Sequence, residues 1–177
     1  MIQNKNIANF GVTIIQARHS IRHFKDTPIP DEIILKVLDC AKSAPSAKNI
    51  QPWIFGTIKD KTLREEIANL TTSGKFIAEA PVCFAVFGER DQQFVVEDCC
   101  AATENILIAL TGYGIGSCWV AGEGKEYAEP IRKLLGVPDK YKLISLIAAG
   151  EAKTEGFVLA KKKNLSDITF TERFGSE

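Results

Sequence analysis

The run Val82-Cys83-Phe84-Ala85-Val86-Phe87 constrains the fold more than any other stretch, because it is apolar at every position. A strand points alternate side chains to opposite faces, so a strand with no polar position has both faces covered and lies centrally in a sheet. Helical segments on either side in sequence supply the cover. Residues 31–44 place Ile33, Ile34, Val37, Leu38 and Ala41 in the i, i+3, i+4 recurrence of an amphipathic helix that stops before Pro45. Residues 95–111 carry many small residues and few charges, which suits burial on most sides. Further strands are expected over 53–58 and 143–149, and further helices over 59–70 and 126–135, the last closed by Gly136. The order is α+β, in one domain with a small, mainly antiparallel or mixed sheet flanked by helices. A chain of 177 residues is expected to bury ~70% of its unfolded surface without staples.

Several function classes are disfavoured at once. Basic and acidic residues balance at 22 each, which argues against nucleic acid as a partner. The five cysteines, Cys40, Cys83, Cys99, Cys100 and Cys118, form no C-x-x-C pair, so neither a disulfide framework nor a zinc site is expected. The first residues show no basic segment leading into a long apolar run, and no apolar run is long enough for a bilayer. The expected location is the cytoplasm.

Two segments concentrate chemistry. Arg18, Ser20 and Arg22 alternate, so an extended backbone puts them on one face. In a helix the two arginines would still meet at i, i+4 while Ser20 pointed away. Either geometry keeps the guanidiniums together, and two close guanidiniums with no carboxylate between or before them favour a phosphate; a solvated, capped helix end is the alternative. The second segment runs from Ala44 to Trp53. Pro45 and Pro52 fix its backbone, while Ser46, Asn49 and Gln51 offer short-range donors and acceptors suited to the edge of a planar heterocycle. A helix stop and a turn into a strand would account for the prolines but not for the polar set. Together the segments read as two parts of one cofactor site.

Other features are weaker. Gly112, Gly114 and Gly116 lack the strand-to-helix context of a dinucleotide fingerprint. They read as a loop over 112–122 that brings the backbone of Val120, Ala121 and Gly122 close to a flat ligand, or as a helix cap followed by a strand. Lys75 reads as a surface lysine unless a cofactor lies beside it. Lys161, Lys162 and Lys163 are either a solvated run or a supplement to the arginines. His19 and His23 lack partners for a metal set, and the cysteines read as small core residues.

The combination of R-x-S-x-R, A-P-S-A-x-N-x-Q-P-W, G-x-G-x-x-x-W and a basic C-terminal stretch resembles the FMN-dependent nitroreductase family from about Ile15 to Leu165. That resemblance implies a nitroreductase-like α+β fold in an entwined homodimer, with FMN at each of two interface sites. It implies that Arg18, Ser20 and Arg22, with His19 between them, bind the phosphate and ribityl side, and that Lys161 to Lys163 complete the phosphate site. Lys75 would address the ring's N1 and O2 edge, Val120, Ala121 and Gly122 would lie near N5, and Pro45, Ser46, Ala47 and Asn49 would come from the other subunit. The weakly charged helix over 95–110 is a candidate interface. No side-chain acid or base is expected, because the flavin itself carries a hydride from NADH or NADPH to an electron-poor acceptor, such as a nitroaromatic or quinone, in ping-pong fashion. Flavin reduction, flavin fragmentation, reductive dehalogenation, or flavin binding without turnover are the alternatives. The chain departs from the family at Ala47, where some relatives carry serine, in having lysines where relatives often have arginine, and in having little sequence between Arg90 and Gln93 for a lid.

Overall fold

The computed structural model describes residues 5–153 and 160–175. The expected central strand is β2 (Val82–Glu89), lying between β1 (Trp53–Ile58) and β4 (Tyr141–Gly150), with β3 (Gly116–Ala121) on the far side of β4. The order β1-β2-β4-β3 is antiparallel at every pairing, leaving β1 and β3 as edges. Helices α2 (Asp31–Lys42) and α4 (Val95–Gly112) cover one face, while α3 (Lys61–Leu70) and α5 (Ala128–Leu134) cover the other. Alternation divides β2 between two cores: Val82, Phe84 and Val86 pack with α2 and α4, whereas Cys83, Ala85 and Phe87 pack with α3 and α5.

A register shift between Val86 and Phe87 interrupts the β2–β4 ladder, and parity on β4 changes with it. Ile147 and Ala149 face α4, and so does Ile144 beyond the shift. At the shift the buried Ser145 hydroxyl meets Thr103 of α4 at 2.8 Å, so the polar group there is satisfied.

Two elements differ from expectation. Helix α1 (Lys5–Ala17) was not marked by the sequence reading; it packs on α4 and leaves Phe10, Val12 and Ile15 exposed. The stretch 112–122, read as a loop, is a cap followed by a strand. Gly114 turns the chain at φ +71 and the Ile115 N–H donates to the Leu110 carbonyl, after which β3 begins.

Beyond α1 the chain runs extended across one end of the sheet. Ile21 donates its N–H to the Ser117 carbonyl at 2.9 Å, and Lys25 donates to Glu151 at 2.9 Å. Phe24, almost fully buried, pairs with Ala152 between them. Among the described residues no helix is long and apolar enough to cross a membrane.

On α5 the buried Arg132 meets Glu129 at 2.9 Å and Asp139 at 3.1 Å, and Arg90 also binds Glu129. The hydrogen bond from Arg90, then that from Arg132, holds the Glu129 carboxyl below the usual carboxylate range. A depressed folded-state value adds stability above the unfolded-state value and loses it as pH falls through the folded one. Glu129→Gln is therefore expected to cost about 1 kcal/mol at neutral pH, kept small by solvent screening. Calorimetry should show the gap to wild type closing as pH drops below the carboxylate range.

Candidate functional site

The segment after Ala17 takes the extended geometry, not the helical one. Ile21 and Phe24 are buried, Ser20 and Arg22 are exposed, and Arg18 is half-buried. Burial pushes the Cys118 thiol of β3 up, while Arg22, a hydrogen bond with Ser20 and then Arg18 pull it back. The segment pairs with β3 where Ser20 bridges Ser117.

Arg18 does have a carboxylate neighbour, contrary to the local sequence. Glu104, delivered by α4 from far along the chain, lies 3.3 Å from Arg18 Nε. Arg22 lies over the Phe76 ring at 5.9 Å. Phe76 belongs to the short turn Lys75–Ala78, which is pressed against β3: a Cβ on Gly74 would lie 2.8 Å from Thr71 Oγ1 and 3.1 Å from Val120 Cγ1. Lys75 is exposed on this turn and donates to the Asn69 carbonyl at 2.9 Å.

The glycines of β3 serve the fold. A Cβ on Gly116 would meet Ile21 at 2.9 Å, and one on Gly122 would meet Leu143 at 2.6 Å and the Ile144 backbone at 3.0 Å. Gly122 also spends its N–H on the Ile144 carbonyl at 2.9 Å. Antiparallel pairing alternates direction, so the N–H of Ala121 points out from the open edge of β3. The carbonyl of Ala121 faces the same way and accepts from the Tyr127 hydroxyl.

His19 bonds the Ala17 carbonyl through Nδ1 at 2.6 Å, and His23 lies 3.8 Å from Glu79. No group of three metal-ligating side chains occurs among the described residues. Burial pushes the thiols of Cys83 and Cys99 up to about 12, which leaves them unreactive and matches their expected packing role. Lys161 and Lys163 are exposed in a stretch without regular structure ahead of the turn Leu165–Asp167.

The second polar segment is a preformed loop. Lys48, Asn49 and Gln51 all have positive φ, 53, 56 and 54, a conformation that costs side-chain-bearing residues about 1–3 kcal/mol each. Hydrogen bonds hold it: Ala47 N–H donates to Asp98 Oδ1 at 3.0 Å, and Gln51 N–H to Ser46 Oγ at 3.0 Å. Gln51 Nε2 donates to Asn49 Oδ1 at 3.1 Å. Asp98 is the buried acid in the first turn of α4, a role its place in an apolar helix did not announce. Pro45, Ser46, Ala47 and Asn49 thus form one rigid unit beside the start of β1.

Within one chain the two segments do not meet. The arginines, Lys75 and Val120 to Gly122 line the β3 edge, whereas the loop sits at the β1 edge, three strand spacings or ~14 Å away. Glu104, Asp98, Phe76 and Tyr127, which sequence reasoning did not single out, position this apparatus through contacts between distant segments.

A family model described as Nitroreductase family matches residues 15–75 and 70–151. A protein of Archaeoglobus fulgidus with the provisional name NADH dehydrogenase/NAD(P)H nitroreductase is 36% identical over 148 residues, covering 80% of this chain and 85% of its own. An iodotyrosine deiodinase of Thermotoga neapolitana is 26% identical, over 77% of this chain and 86% of its own. The solved structure of an FMN-dependent nitroreductase from Clostridium difficile R20291 superposes with a TM-score of 0.82 at 27% identity, covering 94% of this chain and 99% of that one. The family model spans most of the described body and the fold superposes on that solved structure: the chain belongs to the nitroreductase family.

Proposed function

We propose that the protein is an FMN-dependent oxidoreductase that passes a hydride from NADH or NADPH to a small electron-poor acceptor, such as a nitroaromatic or a quinone. The observation that carries this reading is the extended segment bearing Arg18, Ser20 and Arg22, which pairs through Ser20 and Ile21 with one end of an open strand edge whose other end presents the Ala121 N–H. Two guanidiniums and a hydroxyl fit a phosphate dianion, so the donor set suits FMN. Arg18 and Arg22 bind its phosphate with Ser20, while His19, Lys161 and Lys163 supplement the polar and positive surroundings. Lys75 stabilises negative charge on the N1 and O2 edge of the ring. Val120 and Gly122 form backbone wall, and Ala121 offers its N–H toward N5. Bound FMN supplies the hydride-accepting and hydride-donating centre.

A single chain holds only half of these groups on each edge. A second copy therefore contributes Pro45, Ser46, Ala47 and Asn49, giving a homodimer with two shared sites. The left-handed backbone at Lys48, Asn49 and Gln51 and the hydrogen bonds within the loop are in place before any ligand arrives, so Ser46 and Asn49 need little ordering to meet the ring. Donor and acceptor share one ring face and take turns, which makes the kinetics ping-pong. The link from β2 to α4 spans only residues 90–94, with no inserted lid, and an open site of that kind favours varied acceptors. The deiodinase relative supports a second chemistry at the same flavin, reductive dehalogenation. The reading places the protein in the cytoplasm, where reduced nicotinamides are supplied.

Visible spectroscopy of the purified protein under anaerobic conditions tests this. The expected result is a flavin spectrum bleached by NADH or NADPH and restored by a nitroaromatic or quinone. A protein that neither retains nor rebinds FMN would overturn the reading. Restoration only by a halogenated aromatic would shift it to the dehalogenase.

A further inference from the structure

Helix α3 buries Arg64 on the face it shares with Ile67 and Ala68. Only 6% of the residue is exposed, yet no carboxylate pairs with it among the described residues. Nη1 donates to the carbonyls of Ala78 and Ala80, closing the turn Lys75–Ala78. Nε is buried and has no partner. With Nη1 engaged and Nε enclosed, the Nη2 edge of the guanidinium is left to meet a carboxylate oxygen. A buried charged donor without an acceptor is unfavourable, so this edge is poised for an anion.

Arg64 also lines a cavity of about 470 Å³ where β1 ends and β2 begins. Asp26, Asp31 and Lys59 share the lining, with rigid walls at Pro28 and Pro81. Asp31 and Lys59 cancel as an ion pair at 2.7 Å. That leaves one carboxylate, Asp26, and one guanidinium, Arg64, of opposite sign on the same cavity with no ion pair between them. A simple anion would satisfy Arg64 but approach Asp26 unfavourably, whereas a ligand with both charges suits both.

We propose that this cavity binds a small zwitterion of the α-amino-acid class, its carboxylate on the Nη2 edge of Arg64 and its ammonium toward Asp26. The volume lies in the range of small-molecule sites, and Ile29 and Val82 offer apolar wall to a side chain. The site is separate from the β3 edge and does not depend on the flavin reading.

Calorimetric titration of the full-length protein, as purified, with three probes tests it: L-leucine, isocaproate (leucine without the ammonium) and isoamylamine (leucine without the carboxylate). L-leucine is expected to bind saturably, with the other two about tenfold weaker, as for the loss of one charge-assisted contact. Asp26→Asn changes an exposed side chain outside the core, and should bring leucine down to the affinity of isocaproate. Arg64→Lys, checked for folding by its melting temperature, should abolish binding. Absence of saturable leucine binding, isocaproate binding as tight as leucine, or leucine affinity unchanged in Asp26→Asn would each overturn the proposal.

Discussion

The double variant Arg18→Ala, Arg22→Ala is expected to be purified without flavin. A hydrogen bond to a charged group contributes about 1.5–3 kcal/mol, so removing two gives about 3–6 kcal/mol, or roughly 10²- to 10⁴-fold weaker FMN binding. The fold should survive, because Ile21 and Phe24 hold the segment and neither arginine is part of the core. Equilibrium titration with FMN, alongside a melting curve, separates the two effects. Glu104→Gln should act in the opposite sense. Its carboxylate competes for Arg18 at 3.3 Å, and neutralising it frees the guanidinium for a phosphate. A double variant that holds FMN as tightly as wild type would sink the phosphate assignment.

Gly88→Val is expected to be the most damaging single substitution in the sheet. Helix α4 approaches β2 closely at Gly88, where a Cβ would lie 2.3 Å from Val95 Cγ2 and 2.8 Å from Cys99 Sγ. Both neighbours sit on the first turns of a helix held against both the sheet and α2, so neither can retreat cheaply. Overpacking of this kind costs about 3 kcal/mol, and a melting temperature about 6–12 °C lower follows for a chain of this size. The displaced turn carries Asp98, which anchors Ala47 at 3.0 Å. Flavin retention should therefore fall together with stability. Scanning calorimetry reads the first effect, and an unchanged melting temperature would show that α4 does not depend on the missing side chain.

Most of the architecture was legible because its signals are local. The absence of any polar position from Val82 to Phe87 placed β2 inside the sheet, and the period of Ile34, Val37 and Ala41 marked α2. Strand β3 was hidden by its own glycines. Gly112, Gly114 and Gly116 suggested a loop shaped for a ligand, whereas Gly114 turns the chain after α4 and Gly116 admits Ile21. Helix α1 went unmarked for a related reason: Gly11 and Thr13 weaken its propensity, and its apolar Phe10, Val12 and Ile15 stay exposed in a single chain. Of the two geometries open to Arg18, Ser20 and Arg22, the structure takes the extended one. What local reading could not supply was long-range: the Glu104 partner of Arg18, the Asp98 anchor of the loop, and the placement of the two motifs on opposite edges.

That placement makes a shared site the central expectation. Sedimentation velocity of the purified protein, followed by protein and flavin absorbance together, tests it most directly. The predicted result is one boundary at twice the 19.5 kDa chain mass carrying one flavin per chain, with flavin released when dilution separates the copies. Flavin that sediments with a single chain would contradict it.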